Sequence, residues 1–377
     1  MSRMFADTGS NPATVEELQR LIRLVMPPSP ADAGSGERQG RPPELDIVDT
    51  GAMLRMGAER QPLLLAPVLP NAGLMLVHGP RGVGRSHVLV GCAAALAAGD
   101  RFLGWKAQRA TDVLFISGAA PAALLGARLG AALRAMQGRE GVGERLRLLA
   151  PDRQKAMMPA LDTAIGQRQL VPLLVGCDVV VIDDAACLLP GMASNGPRSR
   201  ARFSEFLQCL RHTGRTVIVG QASGLATHRA AERSTLACLE DYADVVVGLR
   251  RPPGYATGDG ARFELHIERA SHLPGAAREA REVRLEPGSD RQVMWTAARA
   301  DELARDRLQA LLAEGMPAAE AARELGISRT TAWRWMRQIA AARDAAGNPA
   351  ELAAAEAPAS ACVHEGQALR VTGEIAA

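Results

Sequence analysis

The sequence predicts an α/β fold: a mostly parallel sheet flanked by helices, with a small all-α unit behind it. Three observations carry that expectation. Apolar strand-like runs alternate with amphipathic segments from Leu63 to about Leu285, a glycine-rich turn separates one such run from the start of a helix, and from Asp301 onward the pattern turns wholly helical. The 377 residues are enough for one large core with smaller appendages, since single domains run to roughly 100–200 residues and parallel-sheet domains often exceed that.

Runs 74–78, 113–117, 179–183, 216–220, 245–249 and 262–269 are rich in Val, Ile and Leu and read as the strands of the core. Ahead of them Leu18, Ile22 and Val25 share one face of a short helical pattern, and a Pro, Gly, Ser and Arg stretch follows from Pro27 to Pro43. Residues 1–44 are therefore expected to be an arm and linker, 45–290 the core domain and 300–343 the helical unit. Residues 344–377, rich in Ala, Glu, Pro and Ser, are expected to be a disordered tail.

Composition narrows the partners only a little. A formal net charge of +3 is too small to support nucleic-acid binding through the whole-molecule field, so any DNA contact rests on a local basic surface. Lys106 and Lys155 are the only lysines, a bias toward arginine that reads as codon composition before it reads as function. The six cysteines form no Cys-x-x-Cys pair and mostly sit in apolar runs, which predicts reduced, buried thiols and no metal site among them. The first residues carry no apolar signal region, and no uncharged apolar stretch of about 18 residues occurs, so a cytoplasmic protein without a membrane partner is expected.

The run Gly79-Pro80-Arg81-Gly82-Val83-Gly84-Arg85-Ser86-His87 lies between a strand and a helix, the placement that a Walker A phosphate loop requires. Its glycines let backbone N–H groups curl around phosphates at the helix N-terminus, and Ser86 stands where a hydroxyl would hold Mg²⁺. Position 85 is Arg where the motif has Lys, and a planar guanidinium does not replace a compact ammonium without consequence. Val179-Val-Val-Ile-Asp183-Asp184 has the form of a Walker B strand, with Asp183 the better candidate for supporting Mg²⁺. An Asp closing a buried strand can also cap the next helix.

With these motifs in place the chain resembles RecA-like hexameric ATPases (AAA-type) of the plasmid RepA replicative-helicase type, from about Pro62 to Leu285. The further matching segments are Leu63-Leu-Leu-Ala-Pro-Val-Leu-Pro, Arg101-Phe-Leu-Gly-Trp105, Val113-Leu-Phe-Ile-Ser-Gly, Gly214-Arg-Thr-Val-Ile-Val and Leu249-Arg-Arg-Pro-Pro-Gly-Tyr-Ala-Thr-Gly-Asp-Gly-Ala-Arg-Phe-Glu-Leu-His. The resemblance implies ATP and Mg²⁺ as cofactors, DNA as a partner and assembly into a ring.

It also exposes departures. Where the family has Asp-Gly-Glu-Met, whose Glu activates water, this chain has Ser117-Gly118-Ala119-Ala120. Where the family senses the γ-phosphate with His-His-Ala-Gly-Lys, this chain has Gly220-Gln221-Ala222-Ser223-Gly224, leaving Gln221 as the candidate. The family's cross-subunit Phe-Glu-Lys-Ala-Arg reads Ile267-Glu-Arg269-Ala-Ser271, so Arg269 is the candidate for the neighbour's nucleotide, with Arg229 or Arg233 as another possible finger. Loss of a single transition-state charge slows phosphoryl transfer by about 10³-fold or more, so ATP binding with slow or no hydrolysis is expected. Two other readings stay open: a non-enzymatic DNA-binding regulator, and an accessory subunit in a mixed ring with an active paralogue.

From Asp301 to Arg337 the pattern resembles the helix-turn-helix of recombinases and bacterial regulators. Gly326 supplies the positive-φ turn, Ser328 caps the third helix, and Ala321, Ala322, Leu325, Ile327, Ala332, Trp335 and Met336 are expected to form a small core. That arrangement leaves Arg329, Thr330, Trp333, Arg334 and Arg337 on the outer face, where a recognition helix meets DNA, although such units also mediate protein contacts.

Overall fold

A computed structural model describes residues 47–58, 62–136, 140–223, 238–287 and 293–347. The expected N-terminal arm, most of the expected tail, and Arg229 and Arg233 lie outside the described residues. The chain divides into two compact units, Met1–Ala304 and Arg305–Ala377.

Among the described residues, the first unit is built on a nine-stranded sheet in the order β13-β12-β11-β10-β3-β9-β8-β6-β7. Its parallel part comprises β3 (Leu74–Gly79), β6 (Val113–Ser117), β7 (Leu146–Leu149), β8 (Val179–Asp183), β9 (Thr216–Ala222) and β10 (Val245–Arg250). β11 (Arg262–Ala270), β12 (Arg281–Pro287) and β13 (Val293–Arg299) extend it as an antiparallel meander. Each strand expected from the sequence is present. The sheet also runs past position 290, where the core domain was expected to end.

Strands buried on both faces explain the apolar runs: every residue of β6, β8 and β9 is buried. Successive side chains point to opposite faces, so Met75, Val77, Val179 and Val181 join one core layer while Leu74, Leu76, Val180 and Ile182 join the other. The first layer packs on α2 (Arg85–Ala98), whose alanines allow close approach to the sheet. The second packs on Phe203, Phe206 and Leu207 of α6 (Met192–His212), a helix kinked at Asn195 next to Pro197. α3 (Ala122–Arg134) follows β6, and α5 (Ala164–Leu174), capped by the Thr163 hydroxyl, precedes β8. A separate antiparallel sheet orders β2 (Leu69–Pro70), β1 (Leu63–Ala66), β5 (Trp105–Ala107) and β4 (Arg101–Phe102), closed at one end by a two-residue turn with positive φ at Leu103 and Gly104.

Among the described residues, the second unit holds a three-helix arrangement. The helix Ala300–Ala313 leads into it, Ala318–Glu324 follows, and Arg329–Gly347 completes it, running past the expected end at 343. Gly326 has φ 64°, and the Ser328 hydroxyl accepts the Thr331 N–H at 3.1 Å, as the turn and cap require. Ala321, Ala322, Leu325, Ala332 and Trp335 are buried together with Leu308, while Ile327 and Met336 are half-buried. Among the described residues no helix is long and apolar enough to cross a membrane.

Candidate functional site

The C-terminal end of β3 opens into the phosphate loop. Gly79, Gly82 and Gly84 all have positive φ, at 156°, 78° and 126°. Two of them are also sterically obligatory. A Cβ on Gly79 would stand 2.6 Å from the Leu249 carbonyl oxygen, and one on Gly84 would stand 2.5 Å from the Phe263 ring. The loop is held from outside by Arg251, at the end of β10, which donates to the Gly82 carbonyl and, at 3.1 Å, to that of Arg262. The Arg251 guanidinium lies 3.8 Å from the Tyr255 ring centroid.

Arg85 is 9% exposed. One of its terminal nitrogens donates to Asp184 Oδ2 at 3.1 Å, and the other, Nη1, is buried without a hydrogen-bond partner. A buried guanidinium N–H with no acceptor is costly unless something fills the space beside it. An oxyanion in the glycine cradle supplies what that donor lacks, so a phosphate group fits these residues.

Asp183 closes β8, 4% exposed, and its peptide bond to Asp184 is cis. Burial pushes its carboxyl above the ordinary carboxylate range and the Asp184 charge adds to this, while a hydrogen bond from the Ser86 hydroxyl and the charges of Arg85 and Arg128 oppose it. The capping alternative falls to the next residue: Asp184 Oδ1 accepts the Ala186 N–H at 3.3 Å and caps the short turn Ala185–Leu188. Ser86 and Asp183, expected to hold Mg²⁺, are thus brought together.

Directly after β6 the chain reads Ser117-Gly118-Ala119-Ala120, a stretch without a carboxylate. The Ser117 hydroxyl closes its own turn by donating to the Ala120 carbonyl at 2.9 Å and accepting the Ala120 N–H at 3.0 Å. Gly118 is pressed onto the Walker B strand, its N–H donating to the Asp183 carbonyl at 2.6 Å. Instead α3 contributes Arg128, half-buried, whose charge reaches both Asp183 and His87.

Gln221 is fully buried beside His78 in register, its Nε2 donating to the Ala222 carbonyl at 3.3 Å and its Oε1 unpartnered. His87 packs edge-on against Trp295 with ring centroids 5.5 Å apart, and burial, aided by the Arg128 charge, lowers its pKa to about 4. It is a neutral packing residue at ordinary pH. Arg269 is engaged within its own chain, where it donates to the carbonyls of Glu240 and Ala243. It pairs with Val246 and so lies level with Leu76, below the strand end that opens the loop. Pro80 and Arg81 are exposed on the loop and Val83 is buried beneath it.

Sequence reasoning missed several of these residues. Arg251 and Tyr255 belong to a segment that supported the family resemblance, so their proximity to the loop was within reach. Arg128 carries no local mark. A further chain of contacts, Ser223 Oγ to His78 Nδ1 at 2.8 Å, His78 Nε2 to Glu268 Oε2 at 2.8 Å and Arg250 to Glu268 Oε1 at 2.9 Å, joins three strands beside the loop.

In the second unit Arg329, Thr330, Trp333, Arg334 and Arg337 are all exposed, Trp333 at 58%. The Arg337 guanidinium lies 5.0 Å from the Trp333 ring centroid. The expected outer face is therefore formed.

Residues 39–228 match the family model of the AAA domain, and residues 299–347 match that of the homeodomain-like domain. Among solved structures, a KaiC-like protein from the hyperthermophilic archaeon Pyrococcus horikoshii OT3 is similar at 13% sequence identity, covering 62% of this chain and 93% of that one with a TM-score of 0.41. No curated protein matches the chain.

Proposed function

The chain belongs to the AAA domain family, and from that premise we propose that it is a DNA-associated ATP-binding protein, of the plasmid RepA replicative-helicase type, that hydrolyses ATP slowly or not at all. The observation that carries the binding half is the buried, unpartnered Nη1 of Arg85, on the residue that directly follows a loop only glycine can form. Slow turnover is supported by the end of β6: Ala119 stands where a water-activating Glu is expected, and the neighbouring Ser117 hydroxyl is consumed by its own turn. Without a base near the γ-phosphate, bound ATP is a state rather than a fuel.

DNA reaches the protein through the outer face of the helix Arg329–Gly347, with Arg329, Thr330, Arg334 and Arg337 as phosphate and base donors and Trp333 as an apolar contact. Assembly into a ring, alone or with an active paralogue, follows from the family resemblance. An exposed basic face on one unit, together with a site poor in catalytic groups on the other, favours a second reading, a DNA-binding regulator in which the ATPase scaffold serves as platform.

Equilibrium binding of a fluorescent ATP analogue, run beside phosphate release with and without DNA, tests the proposal. Saturable binding with negligible release is expected. DNA-stimulated turnover of roughly 10 s⁻¹, ordinary for an enzyme, would overturn the slow-hydrolysis reading. Absence of nucleotide binding would leave the regulator.

A further inference from the structure

Residues 251–261 connect β10 to β11, and their own polar groups hold this loop in one shape. Arg251 ties its start to the phosphate loop by donating to the Gly82 carbonyl. At its end Arg262 donates to Asp259 Oδ2 at 2.7 Å and to Glu282 Oε1 at 2.8 Å, and Asp259 Oδ2 also accepts the Ala256 N–H at 3.1 Å. Tyr255 sits within this frame, half-buried, with its hydroxyl donating to the Gly260 carbonyl at 3.3 Å and the Arg251 guanidinium 3.8 Å from its ring centroid. A single side chain, Arg251, thus joins the Tyr255 ring to Gly82. Both terminal nitrogens of Arg251 donate to backbone carbonyls, so its flat face backs the ring and its charge is not aimed at phosphate.

The sheet order shows which end of a nucleotide comes to this loop. Phosphate loops hold the β- and γ-phosphates toward the Walker B carboxylate. β8, which ends in Asp183, lies on one side of β3, and β10 and β11 lie on the other. A triphosphate in the glycine cradle therefore directs its nucleoside toward the β10–β11 side. What waits there is an aromatic ring stiffened by a guanidinium, the chemistry that stacks on a base. Resting on the nucleotide-binding reading above, we propose that Tyr255, backed by Arg251, is the platform on which the base of the bound nucleotide stacks. Stacking strength rises with the area of the base, so the platform favours purine over pyrimidine nucleotides.

The test is calorimetric titration of the full-length chain with ATP, CTP and inorganic triphosphate in magnesium buffer. ATP is expected to bind about fivefold or more tighter than CTP. Tyr255→Ala should weaken ATP by about tenfold or more while leaving inorganic triphosphate within about threefold of the parent, and Tyr255→Phe should keep ATP within about threefold. Thermal unfolding of each variant checks that it is folded. A Tyr255→Ala variant that binds ATP as tightly as the parent would overturn the proposal and leave the nucleotide-binding reading in place. Equal losses for ATP and inorganic triphosphate would also overturn it, by assigning Tyr255 to the shape of the loop, as would a parent that binds CTP as tightly as ATP. A parent that binds neither ATP nor inorganic triphosphate would overturn both readings.

Discussion

The loop end of the sheet and the outer face of the helix Arg329–Gly347 use the same residue type in opposite ways. At the sheet, Arg85 is paired with Asp184, Arg251 is fastened to the Gly82 carbonyl, and Arg269 is fastened to those of Glu240 and Ala243. On the helix, Arg329, Arg334 and Arg337 stand exposed. An arginine that is buried and donating to its own chain shapes a site; one that is exposed on a helix face is available to an external anion. In a chain with only two lysines, composition cannot separate these roles and burial does.

The comparison breaks most sharply at the glycine cradle. Gly84→Ala places a Cβ 2.5 Å from the Phe263 ring at a φ that alanine avoids, and is expected to cost about 3 kcal/mol or more in denaturant unfolding and to abolish nucleotide binding. The helix face should be untouched, with DNA affinity retained in any protein that remains folded.

Acid should act on the sheet unit. The His87 pKa of about 4 lies below its ordinary 6.5, so its contribution is fully present above pH 6.5 and is lost as pH falls toward 4. That loss amounts to at most about 3 kcal/mol, because the unfolded chain takes up the proton first. His87→Phe, which keeps a ring against Trp295, should flatten this part of the stability–pH curve; an unchanged slope would show that the titration belongs to another group.

On the helix face, Arg329→Ala and Arg334→Ala are each expected to weaken DNA binding by about tenfold and to lower the salt slope by about one for each phosphate contact removed, with unfolding midpoints unchanged. Equal affinity across a salt series would make this face a protein-contact surface.

The smallest effect has the opposite sign. Because burial raises the Asp183 pKa, its ionised form is disfavoured in the folded chain, and Asp183→Asn should stabilise the protein by about 1 kcal/mol while impairing nucleotide binding or turnover. Loss of stability would show that the attraction of Arg85 and Arg128 outweighs desolvation.

Much of the fold was legible because its central strands are uninterrupted apolar runs, as in Val179–Ile182, and because the loop glycines follow a fixed spacing. β7, β12 and β13 were not, since strands toward the two ends of the sheet carry charge: Arg147 interrupts Leu146–Leu149, and Arg281, Glu282, Arg284 and Glu286 punctuate β12, which lies one strand in from the edge. The helix-turn-helix was the more readable site, because its cap, turn and small core are neighbours in sequence.

Local pattern therefore determined the strand, loop and helix order, the glycines of the cradle, Asp183 at the end of a buried strand, and the exposed face of the C-terminal helix. The partners of the charges were decided only by the tertiary structure. Arg85 meets Asp184 across 99 residues, Arg128 reaches Asp183 from another helix, and Arg269 turns onto carbonyls 26 and 29 residues away. Periodicity reports which side of an element is buried, whereas an ion pair depends on which elements the sheet order makes neighbours, and no local stretch of sequence contains that order.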